Sequence, residues 1–115
     1  MPDGSEEKRE TTRIRKRFVL RAAIFGEKPL TWSYVTIHDI SSSGTLFTFD
    51  RAVRIGDLMY FKIDFPDRVI ECMGRARRLA GTREGKFHDV GASFEGIRPV
   101  DRDYIDEFVR KYSGG

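Results

Sequence analysis

Two short segments carry side chains that could hold a charged, hydrogen-bonding ligand. Arg13-Ile-Arg-Lys-Arg17 sets two arginines four positions apart, directly before the first apolar run. Asp39-Ile-Ser41-Ser-Ser-Gly44 sets a carboxylate, a hydroxyl and a glycine in the spacing D-x-S-x-x-G. An arginine fork offers parallel donors that match a phosphate or the O6/N7 edge of guanine, and its plane can stack on a base. A carboxylate at Asp39 would accept from the guanine N1–H and N2–H₂ groups. The Ser41 hydroxyl both donates and accepts, so it can reach a ligand or brace a turn. Gly44 allows φ > 0 and a close backbone approach where a Cβ would intrude. Each piece also has a plainer reading. The arginines suit a solvated basic arm, and Asp, Ser and Gly are what turns are made of.

Catalytic chemistry is harder to assemble. Ser41 lies three positions after His38 and two after Asp39, but one strand and its turn do not arrange a hydroxyl, base and carboxylate into a relay. No G-x-S-x-G elbow surrounds that serine. Cys72, close to Ile70 and Met73, reads as a buried structural thiol, since no basic helix terminus is evident to stabilise a thiolate. His38 and His88 read as hydrogen-bonded strand residues. There is no G-x-x-x-x-G-K-[ST] phosphate loop. A single cysteine excludes an intramolecular disulfide, and with two histidines it excludes a Cys/His zinc cage. The expectation is a protein with no catalytic residues, no metal and no cofactor.

The net charge of +3 is mild, but its distribution is not even. Arg13, Arg15, Lys16 and Arg17 form one basic cluster, and Arg75, Arg77 and Arg78 form another. Two local clusters point to a small anionic partner or to simple solubility. A single-stranded nucleic acid would call for a continuous basic groove, which the separate clusters do not provide. No DNA or RNA partner is expected.

Such residues need elements to position them. The 115 residues allow one domain, and 39% hydrophobic content with nine Phe, four Tyr and one Trp supplies its core. Residues 1–12 are polar and without periodicity, and read as a flexible arm; one domain is expected over 13–112. Six segments read as strands: 18–25, 30–40, 45–50, 58–65, 68–80 and 86–96. In 58–65 Met59, Phe61, Ile63 and Phe65 alternate with Lys62 and Asp64, the period of a half-buried strand. SSSG (41–44), Gly56-Asp57, Pro66-Asp67 and GTREG (81–85) read as turns. Gly74, inside the fifth strand, marks a bulge or a close backbone approach. After Pro99 the period changes, and Ile105, Phe108, Val109 and Tyr112 form one stripe of a helix. The expected fold is mainly β, a six-stranded antiparallel β-barrel, closed or nearly so, with a C-terminal α-helix packed on it. No apolar run approaches the roughly 18 residues of a membrane span, and the N-terminus is too charged for a signal peptide. A cytoplasmic protein with no membrane insertion is expected.

With the two motifs in this order around the first strand, and six strands followed by one helix, the chain resembles the PilZ domain family from about Arg13 to Tyr112. The resemblance implies a split β-barrel and a receptor for the bacterial second messenger cyclic di-GMP. It also implies that Arg13, Arg17, Asp39, Ser41 and Gly44 match the family's ligand-binding motif residues. Ligand binding would order the N-terminal arm, and the signal would pass to an unidentified downstream protein partner. A PilZ-like protein-interaction adaptor that binds no nucleotide is the alternative. Arg17-Phe-Val-Leu-Arg21 also fits R-x-x-x-R, but Arg21 would fall inside the first strand, so Arg13 and Arg17 are preferred. Arg77 and Arg78 occupy a strand region where some members carry an aromatic that covers a guanine. Either arginine could stack there instead, or both could simply be solvated. Trp32 and Tyr34 read as core or edge packing.

Overall fold

A computed structural model of the chain describes residues 18–112. The expected arm at 1–12, together with Arg13 and Arg17, lies outside the described residues. Seven strands form: β1 (Val19–Ile24), β2 (Ser33–Tyr34), β3 (Thr36–Ser41), β4 (Gly44–Phe49), β5 (Leu58–Phe65), β6 (Arg68–Arg83) and β7 (Phe87–Glu95). One helix, α1 (Pro99–Tyr112), follows. All pairings are antiparallel, in the order β2-β1-β5-β6-β7-β4-β3.

The seventh strand comes from the segment expected as one strand over 30–40. It breaks at Val35, whose N–H donates to the Leu20 carbonyl at 3.1 Å. On one side of the break β2 pairs with β1, and on the other β3 pairs with β4. The two edge strands of the sheet are therefore consecutive pieces of one segment, and the sheet curls round on itself. A pattern rich in β-formers records a strand but not a change of partner along it.

The inner face is set by alternation. Phe47, Phe49, Phe61, Leu20, Met59, Ile63, Ile70 and Val90 are all fully buried. Phe47 and Phe94 both meet the Phe61 ring edge to face, at 5.7 and 5.6 Å between centroids. Gly74 makes room for that ring, since a Cβ there would stand 2.6 Å from Phe61 and 2.6 Å from the Ser93 carbonyl. This is a close approach, one of the two readings of a strand glycine.

Strand β6 runs three residues beyond its expected end at Ala80. Gly81–Arg83 of the expected GTREG turn belong to the strand, and the chain reverses at Glu84-Gly85, with φ of 55° and 71°. Helix α1 begins on Pro99, whose fixed φ suits the first helical position. Asp101 in its first turn is buried and accepts from Arg98 (2.9 and 3.2 Å) and Arg68 (3.4 Å). Ile105 and Phe108 of the predicted stripe are buried. Phe108 packs on Phe65 (4.7 Å) and Phe18 (5.6 Å), and α1 lies against β3. No helix among the described residues is long and apolar enough to cross a membrane.

Candidate functional site

The strand registers lay two rows of outward-facing residues across four strands. One row runs Ser41, Gly44, Ser93, Arg75, and the next runs Asp39, Leu46, Gly91, Arg78, each from β3 through β4 and β7 to β6. Three inter-strand steps of about 4.8 Å separate the carboxylate side from the arginine side by roughly 14 Å. Because Gly44, Ser93 and Gly91 in the middle of these rows are small, the surface sinks there into a shallow concavity of about 410 Å³. Asp39, Ser41 and Ser43 border it on one side, and Arg77 and Arg78 on the other.

Gly44 meets one of its two expected reasons, the close backbone approach, and not the other, a positive φ. The glycines with positive φ among the described residues are Gly26, Gly56, Gly81, Gly85 and Gly96, so Gly44 has no left-handed backbone. A Cβ at Gly44 would instead stand 2.2 Å from the Ala92 carbonyl oxygen. The close approach is to the neighbouring strand, and it keeps the floor low. Ser41 braces the hairpin: its Oγ accepts from the Ser43 N–H at 3.2 Å and lies 2.9 Å from the Ser43 hydroxyl. The turn is the two residues Ser42-Ser43, with Ser41 and Gly44 paired as strand residues. Asp39 is exposed. Its backbone carbonyl accepts from Thr45 Oγ1 at 2.8 Å, while its carboxylate has no partner among the described residues.

On the far wall, sequence alternation would put Arg77 and Arg78 on opposite faces. They share one because Arg77 is an extra residue in β6: Ala76 opposes Ala92 and Arg78 opposes Gly91. Such a bulge re-aims side chains and is found next to functional sites. Arg77 Nε donates to Ser93 Oγ (2.9 Å), and its Nη2 donates to Glu95 Oε2 (2.8 Å). Arg78 passes over Gly91, where a Cβ would meet its Cβ at 3.5 Å and its Nε at 3.6 Å. Its guanidinium has no partner among the described residues. Nothing in the sequence marks Arg77 as a bulge, so this sharing of one face was not legible beforehand.

A second bulge residue, His38, precedes Asp39 on β3. Its Nε2 lies 2.6 Å from Thr48 Oγ1, which donates to Asp89 Oδ1 at 2.7 Å. Arg83 Nη2 holds the same carboxylate at 2.7 and 2.9 Å. The Thr48 and Arg83 hydrogen bonds hold the Asp89 carboxyl below the usual range. His38 thus faces Thr48 and Asp89, and no His–Ser pair forms with Ser41. His88 Nδ1 lies 3.1 Å from Thr82 Oγ1. Burial, reinforced by the Asp101 charge, pushes the Cys72 thiol up to about 12. Among the described residues no group of three His, Cys, Asp or Glu could hold a metal ion.

Arg21 lies on β1, its guanidinium 5.8 Å from the Tyr34 ring, and does not line the concavity. Trp32 packs at a sheet edge near Tyr60 (6.3 Å) beneath Lys62 Nζ (4.6 Å), while Tyr34 is exposed. The described chain begins at Phe18, whose ring lies on Phe65 (5.2 Å) and Phe108. Phe18 thus lies beside α1, the helix that also packs against β3.

A curled antiparallel sheet with one C-terminal helix thus bears D-x-S-x-x-G at the β3–β4 hairpin. The sequence model of the PilZ domain matches residues 7–111, and the chain belongs to that family. No curated protein gives a significant match. Among solved structures, the inhibitor of motility MotI/DgrA of Bacillus subtilis has a TM-score of 0.66 at 17% identity, over 81% of this chain. The match takes in 46% of that protein, so this chain spans about half its length.

Proposed function

We propose that this protein is a cyclic di-GMP receptor that does not alter the nucleotide. Binding orders the segment carrying Arg13 and Arg17 against Asp39, Ser41 and Gly44, and the changed face is read by a separate protein. The observation that carries this is the exposed Asp39 carboxylate, without a partner among the described residues, facing an arginine wall across a glycine-floored concavity. A guanine offers Asp39 two donors, its N1–H and N2–H₂, and the phosphates offer the arginines anions. Membership of a family of cyclic di-GMP receptors supports the same reading. It takes place in the cytoplasm, without nucleic acid or a membrane-inserted segment.

The test is a calorimetric titration with cyclic di-GMP at near-physiological salt, with GTP and cyclic di-AMP as controls. Saturable binding to the guanine dinucleotide alone is expected. Arg17→Ala should cost about 1–3 kcal/mol, roughly 5- to 150-fold in affinity, through loss of a bidentate contact. No heat with any guanine ligand would overturn the reading and turn the search to a protein-interaction adaptor.

A further inference from the structure

We propose that Glu95 sets the affinity of the concavity, as a built-in carboxylate that occupies the arginine wall before a ligand does. This rests on the receptor reading and concerns how tightly that site holds its anion.

The wall carries three cations in four positions, Arg75, Arg77 and Arg78, yet two of them converge on one acceptor. Glu95 Oε2 receives Arg77 Nη2 at 2.8 Å and Arg75 Nε at 3.1 Å. Only Arg78 is left without a partner among the described residues. Glu95, the last residue of β7, reaches this wall because the bulge turns Arg77 outward alongside Ser93 and Glu95. A phosphate arriving at Arg77 therefore meets a guanidinium that already carries a carboxylate. It must displace Glu95 or bind beside its negative charge, and both weaken the complex.

The exchange is readily reversible. The Arg77 side chain is 56% exposed and that of Glu95 34%, so neither group is trapped away from water when the pair opens. Arg75 is separately anchored, donating from Nη1 to the Gly56 carbonyl at 2.9 Å. When Arg77 turns to a ligand, Arg75 remains to hold Glu95. The cost of releasing Arg77 is thus that of an exposed ion pair rather than that of stranding a buried charge.

The experiment titrates the wild type, Glu95→Gln, Arg77→Ala and the double variant with cyclic di-GMP at low and near-physiological salt. A thermal melt of each variant confirms folding. Glu95→Gln should bind roughly three- to tenfold more tightly, with the larger gain at low salt, as expected for removal of one exposed charge near the ligand. The gain should vanish in the Arg77→Ala background. Equal or weaker binding by Glu95→Gln would overturn the inference and leave the receptor standing. A gain that persists without Arg77 would overturn it too. Binding by Glu95→Gln alone, with none by the wild type, would support it. No binding by any folded variant would overturn the receptor reading and this inference together.

Discussion

The Asp39 carboxylate does nothing for the fold that the described residues reveal. It is exposed and without a side-chain partner among them, so Asp39→Ala should change stability by no more than about 0.5 kcal/mol. In the complex the same carboxylate would accept charge-assisted hydrogen bonds, each worth about 1.5–3 kcal/mol, so affinity should fall roughly 10- to 150-fold. Thermal melts and titration of this one variant separate the two effects, and a large loss of stability with unchanged affinity would contradict the assignment. Cys72 behaves in the opposite way, as a group the fold shields. At pH 8 its thiol should resist a disulfide reagent in the native protein and react as the chain unfolds. Its ordinary value near 9 rises to about 12 on folding. Between those values the unfolded chain ionises while the native one stays protonated. Its contribution is therefore constant below about pH 9 and is lost as pH rises from 9 towards 12. Asp39, Ser41 and Gly44 were legible because residue type and spacing announce them. The close approach at Gly44 was legible too, but not that it is to the Ala92 carbonyl, since only the neighbouring strand reveals what the missing Cβ avoids.

Strands depend on such clearances as much as on alternation. Gly44→Ala places a methyl 2.2 Å from a backbone oxygen of β7, so β4 and β7 must separate or shift. The cost should be about 1–3 kcal/mol, as for overpacking elsewhere, seen as a lower midpoint in chemical denaturation. A control at Gly26, where φ is +87° but no atom lies within 4 Å, should lose stability through backbone strain alone. Alternation in 45–50, 58–65 and 86–96 was legible, with Phe47, Phe49, Met59, Phe61, Val90 and Ala92 all found inside. The extra residues His38, Arg77 and Ala80 were not, because a bulge is decided by pairing between strands rather than by the composition of either one. Those bulges shape the site: one precedes Asp39, and another turns Arg77 to the face of Arg78.

Across the whole molecule, the curled sheet leaves one side to be covered by α1, and Phe108 is the point of closure. It touches Phe18, Phe65, Tyr104 and Tyr112. Phe108→Ala should cost about 3–5 kcal/mol in denaturant unfolding. Hydrogen exchange should quicken at Phe18 and along α1 before it does in β4 and β7. A mainly β domain ending in a helix could be read from where the hydrophobic period changes after Pro99. How the sheet turns back on itself could not, because it depends on the change of partner at Val35, with β2 on β1 and β3 on β4. The ring of Phe108 also meets both Phe18 and Tyr112, the two limits of the described chain. A linker from Tyr112 to Arg13, with new termini opened at the exposed Glu84-Gly85 turn, should give a circular permutant that keeps the same sheet order. In that molecule the segment carrying Arg13 and Arg17 would be tethered at both ends.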